Sequence, residues 1–217
     1  MVNAPLKLKA KKKKLRPTLY YEKKCKKRGF RLVIGVDEAG RGPLAGPVVA
    51  AAVALKTANF NNYIDDSKKL NSRLREKAYL EIIEKSVFGI GIINEKVIDQ
   101  LNILVATRIA MENAVIELLD KIKTYRKKNT HILIDGNVKL DTDLAVTNII
   151  KGDCRCISIA CASILAKVTR DRIMSLYHKI YPQYEFQKHK GYPTKRHRLA
   201  LKKFGPSIIH RMSFYGV

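Results

Sequence analysis

Arg31-Leu-Val-Ile-Gly-Val-Asp-Glu-Ala-Gly-Arg-Gly-Pro43 is the stretch on which the fold turns. Residues 31–36 form a short apolar run, which reads as a buried strand. The acid pair Asp37-Glu38 and a Gly/Pro-rich loop stop it. Outward from there, Val48–Leu55 and Val87–Ile93 are further runs of strand length. Short links join all three, which predicts an antiparallel meander. Between the last two, Asn71–Lys85 reads as a helix, with Asn71 or Ser72 as N-cap and Leu74, Ala78 and Ile82 on one face. Residues 103–123 carry helical periodicity. His131–Ile134 is a fourth strand, ending at Asp135-Gly-Asn137, and Ala145–Ile150 a fifth. Cys156–Tyr181 is a long helical stretch and Thr194–Phe204 a basic helix. A crossover helix before the fourth strand sets it parallel to the first. Asp37 and Asp135 then share one edge of a mixed five-stranded sheet flanked by helices, an α/β architecture.

The chain has 217 residues, 46% of them apolar, enough for one cored domain. Residues 1–30 differ from the rest, with twelve Lys/Arg, a solid run Lys11–Lys14 and one acid, Glu22. They read as a basic, partly flexible arm ending in a short helix, Leu19–Arg28. Residues 31–180 form the main domain and 181–217 a small basic helical extension. The formal charge of +24 calls for a polyanionic partner. Nucleic acid is the first choice, and an anionic membrane surface is the other polyanion the charge would suit.

Four cysteines, Cys25, Cys154, Cys156 and Cys161, form no C-x-x-C pair and suit a reducing compartment. The longest apolar stretch, Pro43–Leu55, is too short to span a bilayer. The basic start lacks the apolar core of a secretory signal. Lysine dominance with few serines argues against a transit peptide. The expectation is a cytoplasmic monomer.

Acids are scarce, 19 against 43 basic residues, yet they stand at strand ends and turns. Asp37 and Glu38 follow Val36, Asp135 follows Ile134, and Asp153 follows Lys151-Gly152. Each carboxylate there costs desolvation energy, and clustered they repel one another unless a cation joins them. A divalent ion with hard oxygen ligands resolves the conflict. A pair of such ions can activate water and stabilise the leaving oxygen in phosphodiester hydrolysis. Singly, Asp153 reads as well as a helix N-cap and Asp135-Gly-Asn137 as turn chemistry. Taken together, the four favour a metal cluster.

Gly40-Arg41-Gly42-Pro43 lets the backbone approach a ligand closely, and Arg41 adds charge. The pattern is not a P-loop, so nucleoside triphosphate binding has no support. Asp66-Ser-Lys-Lys69, Lys188–His197 and His210-Arg211 concentrate cations. Tyr192 sits inside the second, where an aromatic among lysines can stack while its neighbours hold phosphates. A solvated loop and a core anchor are the plainer readings there. His189, His197 and His210 read as phosphate contacts or surface groups rather than ligands of a hard ion.

Gly35–Pro47, Asp66-Ser-Lys-Lys-Leu70, Ile134-Asp-Gly-Asn137, Lys151-Gly-Asp153, Ser158–Asp171 and His189-Lys-Gly-Tyr192 together resemble the ribonuclease HII family, from about Leu32 to Phe214. The resemblance implies an RNase H-like fold. It implies four metal-binding catalytic carboxylates at Asp37, Glu38, Asp135 and Asp153, working with Mg²⁺ or Mn²⁺, two ions during catalysis. It implies recognition of the ribonucleotide–deoxyribonucleotide junction by Gly40, Arg41, Gly42 and Tyr192. The expected substrates are RNA–DNA hybrids and DNA duplexes containing ribonucleotides, cut 5′ to a ribonucleotide to leave 3′-hydroxyl and 5′-phosphate. Removal of misincorporated ribonucleotides follows as the cellular role. Lys68, Lys69, Lys167 and Lys190 are candidate phosphate contacts. Arg41 and the short arm favour type HII over HIII, which usually carries Gly-Lys-Gly and a larger N-terminal domain. Three positions depart from the family: Cys161 for a usual alanine, Glu185 for a glycine, and Met212 for a frequent arginine. A non-catalytic hybrid-binding protein and a junction resolvase are the other classes. Intact carboxylates speak against the first, and the Gly-Arg-Gly loop and Lys-Gly-Tyr segment against the second.

Overall fold

The computed structural model describes residues 15–217. In chain order the elements are α1 (Tyr20–Lys27), β1 (Leu32–Ala39), β2 (Val48–Leu55), α2 (Ser72–Lys85), β3 (Ser86–Ile93), α3 (Glu95–Ile122), β4 (Thr130–Asp135), β5 (Ala145–Ile149), α4 (Ile157–Ile180), α5 (Phe186–His189) and α6 (Lys195–Phe204). The strands form one sheet in the order β3-β2-β1-β4-β5. β1–β2 and β2–β3 are antiparallel, so the expected meander is present. β1–β4 and β4–β5 are parallel, with Val36 opposite Ile134. Asp37 and Asp135 therefore leave neighbouring strands at the same end.

The central strands are covered on both faces, which is why they read as continuous apolar runs. Successive β2 residues alternate between layers. Ala50 and Ala52 join Ile34, Val36, Met111 and Leu118 beneath α3. Val49, Ala51 and Val53 join Ile82, Ile164 and Leu165 beneath α2 and α4. The contact of α3 with β3 depends on Gly91, where an added Cβ would collide with the backbone of Ala110 and Ala114. Neither neighbour is a flexible side-chain end. Gly91→Ala is expected to cost about 1–3 kcal/mol by overpacking. Urea denaturation checks it, and an unchanged midpoint would mean that helix and sheet can separate without penalty.

Helix boundaries hold one surprise. Asn71 caps α2 by accepting from the Leu74 N–H at 2.9 Å. α3, expected to begin at residue 103, begins at Glu95 behind an Asn94 cap. At Asn102 the backbone turns left-handed (φ 68°) and the helix breaks. It restarts with the Asn102 side chain accepting from Leu104 and Val105 at 2.9 and 3.2 Å. The periodicity from residue 103 matches the restart after Asn102, and the first segment, Glu95–Leu101, was not expected.

Residues 1–14, including the Lys11–Lys14 run, lie outside the described residues. From Thr18 onward the segment read as an arm belongs to the packed body. Thr18 exchanges backbone bonds with Arg155 and Ile157. Glu22 and Cys25 are buried, and the Glu22 carboxylate accepts from the Ser158 N–H at 2.8 Å, capping the start of α4. At the other end of the chain, Tyr184, Phe186, Leu201 and Ile209 bury against Leu44, Ala45 and Met174. The extension thus seats directly on the glycine loop. Among the described residues, no helix is long and apolar enough to cross a membrane.

Candidate active site

Asp37 enters the site from β1 with 5% of its surface exposed. Its carboxylate accepts from the Glu38 N–H at 2.7 Å and from the Ser163 hydroxyl. Ser163 in turn meets Ser67 at 3.0 Å, both buried. Asp135 ends β4 and accepts from the Gly152 N–H at 2.6 Å. Asp153 sits in the 3-10 turn Gly152–Cys154 after β5, so its reading as the cap of α4 is corrected: the residue at that position is Cys156. One oxygen each from Asp37, Asp135 and Asp153 lies within 4.8 Å of the others. Glu38 is not in this group, because its carboxylate turns to Arg41 at 3.3 Å.

Burial, and then the charges of Glu38 and Asp135, hold the Asp37 carboxyl well above the usual carboxylate range. Burial also raises Asp135, and burial with Asp135 and Asp66 raises Asp153. Three half-buried or buried carboxyls at this spacing cannot all ionise unaided, and a hard divalent cation is what the oxygen set fits. Asp66 and Cys154 form a second group with Asp153. Burial raises the Cys154 thiol, so it stays protonated and suits such an ion poorly.

The Gly40–Pro47 loop is held by two arginines that are almost completely buried. Arg170 donates to the carbonyls of Pro47 (2.9 Å), Ala45 (3.0 Å) and Lys190 (2.9 Å). Arg211 donates to Gly40 (2.7 Å), Arg41 (3.1 Å) and Gly46 (2.7 and 2.9 Å). Burial lowers Arg170 to about 10 and Arg211 to about 9, which leaves both charged near neutrality. Gly40 has φ +102°, and a Cβ there would meet the Arg170 side chain. Any other residue would be strained at that angle.

The structure brings the glycine loop and Tyr192 together: a Cβ on Gly42 would lie 3.9 Å from the Tyr192 ring. Tyr192 is 41% exposed, with Lys167 5.7 Å from its ring centroid. The four candidate lysines divide. Lys68 is exposed and lies 4.0 Å from Asp153. Lys69 pairs with Asp65 (2.8 Å), Lys167 with Asp171 (2.7 Å), and Lys190 donates to Ser175 (2.7 Å).

Two expectations for the C-terminal segment are corrected. His189, His197 and His210 are buried, not surface groups, and Arg211 is a scaffold rather than part of a cationic patch. The reason is that α6 and the segment after it fold over the glycine loop. Missed by sequence reasoning were Ser67 and Ser163 behind Asp37, and Arg170 and Arg211 behind the loop. The signal available for Ser67, Ser163 and Arg170 was that each lies inside a recognisable motif, and for Arg211 only its place in the cationic pair His210-Arg211. The departures find their places. Glu185 occupies a left-handed position (φ 55°), which suits glycine better, and its carboxylate pairs with Lys188 and Arg196. Cys161 is buried in the α4 layer, and Met212 is exposed with its N–H on Asp99.

The family model for ribonuclease HII matches residues 34–217. The chain belongs to the ribonuclease HII family. It is 50% identical over 204 residues to ribonuclease HII of Caldanaerobacter subterraneus, covering 93% of this chain and 81% of that one. It is also 50% identical over 196 residues to ribonuclease HII of Acetivibrio thermocellus, covering 89% and 73%. Among solved structures it resembles ribonuclease H2 of Pyrococcus horikoshii (TM-score 0.65, 27% identity, 85% of this chain and 94% of that one). A PCNA complex of RNase HII from Archaeoglobus fulgidus (TM-score 0.67, 23% identity, 84% and 95%) shares the fold. The RNase H-like architecture is therefore confirmed. Membership in the ribonuclease HII family carries hydrolysis of RNA in RNA–DNA hybrids and dependence on a divalent metal.

Proposed function

We propose that this ribonuclease HII nicks duplex DNA on the 5′ side of an embedded ribonucleotide, leaving 3′-hydroxyl and 5′-phosphate, besides cutting longer hybrids. The observation that carries the reading is the juxtaposition of the three-carboxylate group with a glycine loop touching Tyr192. Asp37 would be shared between two divalent ions, Mg²⁺ or Mn²⁺. Asp135 and Glu38 would hold one, and Asp153 the other. Glu38 reaches that position by releasing Arg41. When bound, the ions supply positive charge for the attacking and leaving oxygens of an in-line displacement.

The protein's own groups do the rest. The Glu38 N–H and the Ser163 hydroxyl fix one rotamer of Asp37. Among the described residues the Arg41 and Gly42 N–H groups are used in no hydrogen bond, which leaves them for a ribose 2′-hydroxyl. Tyr192 would stack on the following deoxyribose and penalise a 2′-hydroxyl there. Lys68, exposed beside Asp153, is the best placed of the lysines for a phosphate. Lys69, Lys167 and Lys190 would contribute charge from within their pairs. The same reading takes the enzyme as a cytoplasmic monomer, and the four free thiols fit a reducing compartment.

The test is cleavage of a DNA duplex carrying one internal ribonucleotide, with Mg²⁺, with Mn²⁺ and with chelator. A single metal-dependent nick 5′ to the ribonucleotide is expected. Cleavage of long hybrids without that nick would remove the junction role of Gly40–Gly42 and Tyr192. Cutting of branched all-DNA substrates instead would point to a resolvase.

A further inference from the structure

Beneath Tyr192 lies a buried stack of imidazoles that the proposed chemistry does not use. His189 and His197 lie face to face, with ring centroids 4.5 Å apart. His197 and His210 approach with Nε2 to Nε2 at 3.0 Å. Two nitrogens at that distance need one proton between them, and the outer contacts decide which ring supplies it. His197 Nδ1 faces the Tyr192 carbonyl oxygen at 3.0 Å. A carbonyl only accepts, so His197 Nδ1 carries its hydrogen and its Nε2 is bare. His210 Nδ1 faces the Ser207 N–H at 2.9 Å, so that nitrogen accepts and Nε2 carries the hydrogen. The two requirements agree. Ser207 N–H donates to His210, His210 Nε2–H donates to His197, and His197 Nδ1–H donates to the Tyr192 carbonyl. His189 is fixed separately, with Nε2 donating to the Tyr184 carbonyl at 2.6 Å and Nδ1 accepting from Gly191 at 3.2 Å.

We propose that His197 and His210 are positioning residues for junction recognition: their one-way hydrogen-bond chain fixes the backbone of Tyr192 and thereby the distance of its ring from the Gly40–Gly42 loop. The inference rests on the junction role of Tyr192 given above. The geometry has three supports. Both imidazoles are at most 2% exposed, so water does not compete for the chain. Burial pulls His197 and His210 each down to about 4, so both rings are neutral where the enzyme works. The loop is tied to the same region, because Ala45 bridges His210 and Leu44 accepts from Arg211 through its carbonyl. One connected set of bonds thus sets both sides of the gap that a sugar would enter. A third side-chain group in the set, the Ser207 hydroxyl, lies 2.9 Å from His210 Nδ1.

The test is a ratio of two kcat/KM values. One is for a duplex with a single ribonucleotide, the other for a continuous RNA–DNA hybrid, so losses in the shared carboxylate chemistry cancel. Tyr192→Ala comes first and is expected to lower the ratio. His197→Phe, which keeps a ring and removes both hydrogen bonds, should lower it by about 10-fold, the scale of one lost hydrogen bond with a displaced contact. His197→Asn keeps a donor at the Nδ1 position and should bring the ratio back to within about 3-fold of the parent. A lowered ratio in Tyr192→Ala with an unchanged ratio in folded His197→Phe overturns the positioning role alone. An unchanged ratio in Tyr192→Ala overturns both. The wild-type protein gives an answer that needs no variant. Long-range ¹H–¹⁵N correlation should find His197 as the Nδ1–H tautomer and His210 as the Nε2–H tautomer at neutral pH. The opposite assignment, or a protonated ring, overturns the chain.

Discussion

Asp37→Asn is expected to lower the rate of cleavage by about 10³-fold, the scale of removing one preorganised electrostatic element from a site, while hybrid binding persists. The substitution keeps the shape of the side chain and its acceptor toward the Glu38 N–H. It removes the charge that a shared cation needs. Single-turnover cleavage and fluorescence anisotropy in chelator separate the two effects. A second consequence has the opposite sign. Without metal, Asp37 is a buried carboxyl repelled by Glu38 and Asp135, so the variant should melt at a higher temperature than the parent. With metal at 100 times its Kd the parent gains about 2.7 kcal/mol, and the variant gains less. Near-normal turnover in Asp37→Asn would remove the residue from the site. Equal metal-free melting temperatures would mean that the carboxyls do not repel.

Arg211→Ala should cost about 3–5 kcal/mol, because orphaned buried acceptors cost roughly 1–3 kcal/mol each and water relieves part of that. The acceptors are the carbonyls of Gly40, Arg41 and Gly46. Arg211→Lys should recover less than half of the loss, since a point ammonium cannot fork across three diverging carbonyls. Activity should fall with stability in both, because the loop that loses its support is the one beside Tyr192. Denaturant midpoints with kcat/KM on a single-ribonucleotide duplex check this. A loss of stability under 1 kcal/mol in Arg211→Ala would show that the loop holds its shape unaided.

The fold was legible where burial writes itself into local sequence. β1, β2 and β4 are apolar runs, β1 and β4 end in acids, and the order of the elements predicts the parallel pairing that brings Asp37 and Asp135 to one edge. The helix from residue 95 was not legible, because Glu95–Leu101 is a short segment separated from the rest by a left-handed Asn102, whose cap chemistry reads as a beginning. Of the candidate site, Asp37, Asp135 and Asp153 converge, whereas Glu38 faces Arg41, a rotamer that no one-dimensional pattern encodes. The histidines and Arg211 failed for a different reason. Polar residues in a basic C-terminal segment look solvated, and only the tertiary packing of that segment brings them the carbonyls of Tyr184, Tyr192, Gly40, Arg41 and Gly46 that let them be buried. Charge count finds a surface. It does not find a cation whose partners are backbone oxygens 171 residues away.

That separation has a consequence for biosynthesis. Chains grow at roughly 5–20 residues per second, so Arg211 follows Gly40 off the ribosome by roughly 9–34 s. For that interval the sheet and its acids can form, and Glu22 can find Ser158, but the glycine loop has no arginine fork beneath it. A nascent chain therefore carries the acids of a nuclease without the element proposed to choose its target. Its competence to discriminate arrives later than its acids, with Arg211.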